Sequence, residues 1–148
     1  MASYYPPVGF HFKVEVSGLP TDSNDIRFSE VSGLAVELAT EEIAEGGENR
    51  FLQKYPTRAK YPELVLKRGL LLKSDLWDWI RNNLEKDVLE PRDMTIKLLN
   101  EQHEPLLTWN VVKAYPTKWS VSDLSASNNS IVVESLQFYY QYFSQIRS

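Results

Sequence analysis

Residues 61–84 contain the only pattern in this chain that is typical of a helix, and a strand pattern leads directly into it. Residues 64–66 form a short apolar run with a proline shortly before it and a glycine shortly after it, as expected for a strand. Ser74 then stands at an N-cap position, and Asp75 and Asp78 in the first turn complement the helix dipole. The chain is therefore predicted to pass from a sheet into one helix that lies on that sheet.

The predicted helix has an apolar face whose residues are spaced at i, i+1, i+4 and i+8. These residues are Leu76, Trp77, Ile80 and Leu84. Because this spacing places them on one side of a helix of about three turns, we predict that they form the core contact between helix and sheet.

Most of the remaining chain alternates between apolar and polar residues at the period of two that is typical of half-buried strands. The predicted extended segments are residues 8–18, 26–38, 63–67, 92–99 and 107–114, a short strand from Trp119, and a long closing strand at 131–142. The spacing slips at Ser32 and Gly33, which predicts a bend there. Together these segments predict a mainly β protein, in which two antiparallel sheets pack as a barrel or sandwich with one flanking helix.

Length, charge and composition narrow the function classes. The 148 residues fit a single domain, 1–148, and the formal net charge of −4 argues against nucleic-acid binding. The absence of cysteine excludes disulfides and thiolate chemistry. The first ten residues lack the basic and apolar regions of a signal peptide, and the apolar run at 69–72 is too short to span a bilayer. We therefore expect synthesis in the cytoplasm and no membrane anchor.

No group of residues has the spacing of a catalytic, metal or cofactor site. His11 and His103 match no signature that pairs either one with a nucleophile or a second ligand, so we predict exposed structural histidines. Gly46 and Gly47 lack the Gly-Lys-Ser/Thr that completes a phosphate-binding loop, and the carboxylates around them lack EF-hand spacing. We expect no enzyme activity, no metal site and no cofactor.

The segment at about 39–58 has no sustained period and is predicted to be an extended loop. A loop of this length is uncommon inside a compact domain unless it has a function. Its paired glycines permit unusual backbone conformations, and its mixed charges suit polar contacts across an interface. We predict an assembly loop that contacts a neighbouring subunit. The residues assigned to this contact are Glu41, Glu42, Ile43, Glu45, Gly46, Gly47, Glu48, Asn49, Arg50, Phe51 and Leu52.

Two other classes of protein are compatible with a strand-rich chain. The aromatic residues near the C-terminus suit a β-barrel that binds a small ligand or a carbohydrate. These residues are Tyr139, Tyr140, Tyr142 and Phe143. An OB-like nucleic-acid binder is disfavoured by the acidic net charge.

Seven stretches of the chain, taken in order, resemble a known family. They are FSEVSGL at 28–34, EGGENRF at 45–51, LKRG at 66–69, LWDWI at 76–80, RDMTIKLLNE at 92–101, TWNVVKAYPTKW at 108–119 and VES at 133–135. The chain resembles the inner tube proteins of contractile phage tails and phage-tail-like injection systems, the T4-type tail tube group. That group is similar in structure to the Hcp tube of type VI secretion.

This resemblance implies a structural subunit that forms six-membered rings stacked into a hollow tube. The implied partners are other copies of the chain, a sheath protein outside the tube, baseplate, initiator and terminator proteins, and cargo in the lumen. The tube would belong to a phage tail or to an injection particle released from the cell. Pro56-Thr57, where the family often has Pro-Gly, and the C-terminal residues 139–148 depart from the family pattern. The sequence is compatible with two roles, the bulk subunit of the tube and the subunit of the ring that starts the tube at the baseplate.

Overall fold

The computed structural model describes residues 10–20, 26–43, 53–86, 88–127 and 131–147. Within these ranges the chain forms ten strands and one helix. The elements are β1 (His11–Val16), β2 (Arg27–Phe28), β3 (Glu30–Ser32), β4 (Glu37–Ile43), β5 (Gln53–Lys60), β6 (Leu64–Gly69), α1 (Asp75–Glu85), β7 (Arg92–Leu99), β8 (Pro105–Val121), β9 (Val133–Tyr139) and β10 (Tyr142–Arg147). The predicted mainly β class with one flanking helix is confirmed.

Two antiparallel sheets share the long strand β8. The first half of β8 pairs with β7 on one side and β10 on the other, and the second half pairs with β9. One sheet therefore has the order β2-β1-β7-β8-β10 and the other β8-β9-β6-β3. Because only Ser29 separates β2 from β3, the chain itself bridges the open side of this sandwich.

A bend at Lys113 lets β8 serve both sheets. Lys113 has a positive φ of 54°, and its backbone N–H donates to Asp93 Oδ1 at 3.0 Å. The register with β7 shifts at this point, as at a β-bulge. The prediction of two separate strands, 107–114 and a short one from Trp119, is wrong, because the strand continues through the bend.

The predicted closing strand at 131–142 is also divided. It forms β9 and β10, and Tyr140 turns inward between them, where its hydroxyl donates to the backbone oxygen of Gly33 at 3.2 Å. Gly33 has a φ of 91°, and a Cβ there would lie 2.1 Å from a backbone oxygen. The predicted bend at Ser32 and Gly33 is confirmed, and only glycine fits it without strain.

The core lies between the two sheets and is built from alternate residues of their strands. Val14, Leu64, Ile96, Val111 and Phe138 are among its most deeply buried members. Because successive strand residues point to opposite faces, the period-two pattern in the sequence corresponds to these inward positions.

Helix α1 packs on this sandwich chiefly over β8. Leu76 and Ile80 are buried, whereas Trp77 and Leu84 are half-buried and pack against the core. Trp79, which the predicted face omitted, is only 2% exposed. The buried face of the helix is therefore centred on Leu76, Trp79 and Ile80, which are spaced at i, i+3 and i+4. It is not centred on the predicted neighbours Leu76 and Trp77. Among the described residues, no helix has the length and apolar character needed to cross a membrane.

Candidate assembly surfaces

Strands β4 and β5 form a two-stranded hairpin, here named the arm (residues 37–43 and 53–60). The prediction of an extended loop is wrong for these two flanks, which are paired strands. Their register shifts between Leu38 and Thr40. Because neither face of the arm is buried, no alternation is imposed on its sequence, and the period-two signal is missing.

The arm stands apart from the sandwich. Neither of its strands makes more than marginal contact with any other described strand or helix. Every described side chain on it is exposed except that of Ala39, which is half-buried. Leu38 is 57% exposed and Tyr55 is 43% exposed. An isolated two-stranded hairpin is marginally stable at best in water, so an arm of this kind is suited to pack on a partner.

Three of the predicted contact residues lie on the arm. Glu41, Glu42 and Ile43 belong to β4, and the Glu42 carboxylate pairs with Lys54 Nζ at 3.6 Å. The other predicted contact residues lie outside the described residues. They are Glu45, Gly46, Gly47, Glu48, Asn49, Arg50, Phe51 and Leu52.

Strand β10 is an edge of the first sheet. It pairs along its length with β8, and among the described strands none pairs with its outer side. Tyr142 and Ile146 on this strand are about half exposed. An edge strand of six residues offers unpaired N–H and C=O groups to a strand of another subunit.

The C-terminal aromatic residues divide between core and surface. Tyr140 and Phe143 pack edge-on with Tyr61, at ring-centroid distances of 5.8 and 5.1 Å. Burial, with a smaller contribution from Tyr61, raises the pKa of Tyr140 to about 12, so its hydroxyl stays protonated as a donor. Tyr139 and Tyr142 are exposed. The inward pair therefore serves the core, which weakens the interpretation of a ligand-binding aromatic strand.

A buried ion pair between β6 and β9 links the second sheet to the start of the helix. Arg68 Nε donates to Glu134 Oε1, and Trp119 Nε1 donates to Glu134 Oε2 at 3.0 Å. Arg68 Nη2 also donates to Ser74 Oγ at 3.2 Å, and Ser74 Oγ accepts from the Trp77 N–H at 3.1 Å, which confirms the predicted N-cap. Arg68 and Glu134 are 4% and 5% exposed.

This ion pair was missed by the reasoning from sequence. The signal was available, because Arg68 shares the alternating face of Leu64 and Leu66. In the same way, Glu134 shares the face of Leu136. A charged residue at an inward position predicts a buried partner.

The two histidines contact each other. His103 Nδ1 and His11 Nε2 are 2.9 Å apart, and the rings meet edge to face with centroids 4.8 Å apart. Burial, the His103 ring and the Arg27 charge, in that order, lower the pKa of His11 below its ordinary value. Across the described ranges, no set of three or more His, Cys, Asp or Glu side chains is grouped to hold a metal ion.

Comparisons with known proteins agree with this architecture. A family model described as T4-like virus tail tube protein gp19 matches residues 8–144. A chain in the structure of the anti-feeding prophage (AFP) baseplate is 28% identical, with a TM-score of 0.83 over 99% of this chain and 98% of that one. A chain in the PVC sheath–tube complex, from an extracellular contractile injection system in its extended state, is 30% identical. Its TM-score is 0.78 over 98% of this chain and 94% of that one.

A more distant structure shows the same fold. Hcp1 from Flavobacterium johnsoniae is 15% identical, with a TM-score of 0.58 over 93% of this chain and 96% of that one. Comparison with curated proteins gives no match.

The family match spans nearly the whole chain, and the PVC relative reaches 30% identity over 98% of it. The resemblance inferred from the seven sequence stretches is confirmed. The matching family is that of a tail tube protein, which also confirms the prediction that the chain is not an enzyme. The chain belongs to the T4-like virus tail tube protein family.

Proposed function

We propose that this chain is the repeating subunit of the inner tube of a contractile injection particle, with six copies in each ring and rings stacked around a lumen. The observation that carries this proposal is the arm, a hairpin of mostly exposed side chains that the sandwich does not cover. The relatives also support the proposal, because the similar PVC chain comes from a sheath–tube complex. The AFP chain comes from a baseplate reconstructed with 6-fold symmetry.

Ring closure would use the sheet edges. The outer side of β10 offers backbone donors and acceptors along Tyr142–Arg147. An edge strand of a neighbouring subunit, paired there, would satisfy these groups and cover Tyr142 and Ile146. Repetition of the same contact around a rotation axis closes a ring.

The arm would contact a neighbouring subunit or the adjacent ring. Leu38 and Tyr55 supply apolar anchors, and the charged residues around them supply polar contacts at the rim. Glu41, Glu42 and Ile43 of the assigned segment lie on β4 of this arm.

The remaining partners follow from the tube. A sheath surrounds it, baseplate and initiator proteins start it, a terminator ends it, and cargo passes through its lumen. The relatives come from structures of a baseplate, a sheath–tube complex and a terminating cap. The chain would be made in the cytoplasm and leave the cell as part of the assembled particle.

Electron microscopy of the purified protein tests this proposal. We expect six-fold rings or tubes in negative stain, either alone or after seeding with baseplate components. A strictly monomeric protein under all these conditions, together with a tightly bound small molecule, would support a ligand-binding barrel and overturn the proposal.

Changes confined to the arm test its role. Replacement of residues 41–52 by a short Gly-Ser linker should leave the sandwich folded, because changes in surface connections cost little stability. The same replacement should abolish stacking. Paired changes of Leu38→Ser and Tyr55→Ser should do the same, while the matched arm control Thr40→Ser should assemble normally. Tubes of normal length from the linker variant would falsify the assignment of the arm.

A tube-initiator ring is the second candidate function. The specific observation in its favour is that the AFP relative comes from a baseplate structure, with the higher TM-score of 0.83. An initiator should form single rings on the baseplate and fail to elongate alone. The length distribution of tubes assembled from this chain distinguishes the two roles.

A further inference from the structure

The paired histidines lie where β1 meets the turn between β7 and β8, away from the arm. We propose that His11 and His103 form a bidentate site for a divalent transition-metal ion, with Cu²⁺ bound most tightly. Imidazole nitrogen is a favoured ligand of copper, nickel and zinc ions, and Cu²⁺ stands highest in the order of affinities for a given nitrogen site.

The separation of the facing nitrogens suits one shared ion. His11 Nε2 and His103 Nδ1 are 2.9 Å apart. Two nitrogens that each lie about 2.0–2.1 Å from an ion, at an angle of about 90°, are about 2.9 Å from one another. Tetrahedral coordination would separate them by about 3.3–3.4 Å at the same bond lengths. The observed spacing, which is also that of an ordinary hydrogen bond, is therefore compatible with both nitrogens binding one Cu²⁺ or Ni²⁺ ion.

The backbone places the two histidines next to each other, and their rings contact only through the hydrogen bond between them before an ion arrives. His11 begins β1, which is paired along its length with β7. His103 sits in the turn at a φ of 64°, and its N–H donates to the Asn100 backbone oxygen at 3.0 Å. The Asn100 side-chain oxygen accepts from the N–H groups of Gln102 and Glu104, each at 2.9 Å. A preorganised pair loses little conformational freedom on binding.

An ion can replace the hydrogen bond between the two rings if their protons move to the outer nitrogens. Binding needs a lone pair on both facing nitrogens, so the two hydrogens must lie on His11 Nδ1 and His103 Nε2. When both rings are neutral, this is a change of tautomer with no net loss of a proton. The positive charge of Arg27 opposes a cation at His11. Glu101 and Glu104 add negative charge to the same turn.

The site has room for the remaining ligands of the ion. The histidines border an open groove of about 530 Å³, which is also lined by Phe12, Arg27 and Phe28. His103 is exposed, so water fills the other coordination positions. Hard ions such as Mg²⁺ and Ca²⁺ prefer oxygen ligands, and the two histidine rings supply only nitrogen ligands.

Titration of the purified full-length chain with Cu²⁺ in a non-coordinating buffer tests the proposal. We expect one tight ion per chain by calorimetry, and an electron paramagnetic resonance spectrum with two equatorial nitrogen ligands. His11→Gln and His103→Asn should each weaken binding by about 10²-fold, because each removes the effective concentration that the second ligand supplies. The double variant should lose the remaining imidazole ligand as well, and show no Cu²⁺ binding at this position. Glu101→Gln, in the same turn, should keep the two-nitrogen spectrum.

Several results would overturn this site. They are the absence of tight Cu²⁺ binding, binding that survives either histidine substitution, and a spectrum that lacks two equatorial nitrogens. Asparagine tolerates a positive φ, so His103→Asn preserves the turn and keeps the test decisive even if His11→Gln does not fold. Equal unfolding midpoints of His103→Asn and the unsubstituted chain confirm that only the ligand was lost.

Discussion

Truncation of Trp79 should strongly destabilise the sandwich. Its ring is 2% exposed and stacks on Phe138 at a centroid distance of 5.7 Å. Its Nε1–H donates to the Glu90 backbone oxygen at 2.7 Å. Trp79→Ala should lower the free energy of unfolding by about 3–5 kcal/mol through lost burial and the cavity left behind. The unpaired carbonyl adds about 1 kcal/mol.

Trp77→Ala is the matched control on the same helix. Trp77 is half-buried and its ring lies 5.0 Å from that of Trp119. Because part of its surface is already in water, its truncation should cost only about 1–3 kcal/mol. The loss of unfolding free energy for Trp79→Phe should lie between the losses for Trp79→Ala and Trp77→Ala, because phenylalanine keeps a stacked ring but has no N–H donor.

Urea unfolding followed by far-ultraviolet circular dichroism measures these differences. With a slope of about 2 kcal/mol per molar urea, the midpoint should fall by about 2–3 M for Trp79→Ala and by about 1 M for Trp77→Ala. The reasoning is refuted if Trp77→Ala lowers the midpoint as much as Trp79→Ala does, because the buried face of α1 would then be the one first predicted from the sequence.

Four further changes probe the fold by chemical or thermal unfolding. Glu134→Ala should cost about 3–5 kcal/mol because it removes the carboxylate that neutralises the buried Arg68 guanidinium. Lys54→Ala at the exposed arm pair should change stability by less than about 0.5 kcal/mol, and equal costs would contradict the buried pair. Burial alone would raise the pKa of Glu15, but hydrogen bonds and charges from two lysines lower it below 4.5. Its carboxylate therefore stabilises the fold above about pH 4.5 and less as the pH falls through the folded-state value, so Glu15→Gln should lower the melting temperature at pH 7 and flatten its fall in acid. If the melting temperature of Glu15→Gln falls in acid as steeply as that of the unsubstituted chain, this role of Glu15 is contradicted. Gly33→Ala should cost more than about 1 kcal/mol, since the added Cβ at φ 91° meets a backbone oxygen at 2.1 Å; an unchanged midpoint would show that the bend can relax.

Local features of the fold could be predicted from the sequence. The Ser74 cap depends on the residues of one turn, and the alternation of β7 depends on one strand with a buried face. The bend at Gly33 is likewise signalled by a slip in a single segment. Each of these features leaves a signal within a few residues of its own position in the sequence.

Features that depend on distant partners could not be predicted in this way. Whether Trp77 or Trp79 is buried depends on how α1 lies across β8. The continuity of β8 depends on β9 and β10, which pair with its two halves. His11 and His103 are 92 residues apart in the chain, and only the fold brings them together. The arm gave no strand signal because both of its faces are exposed.

A cryo-electron microscopy reconstruction of the assembled protein tests the central claim most directly, because it locates the arm relative to its neighbours. We predict stacked six-fold rings in which Leu38 and Tyr55 of each arm are covered by another copy of the chain. A reconstruction in which the arm lies in solvent or folds back on its own sandwich would contradict the account.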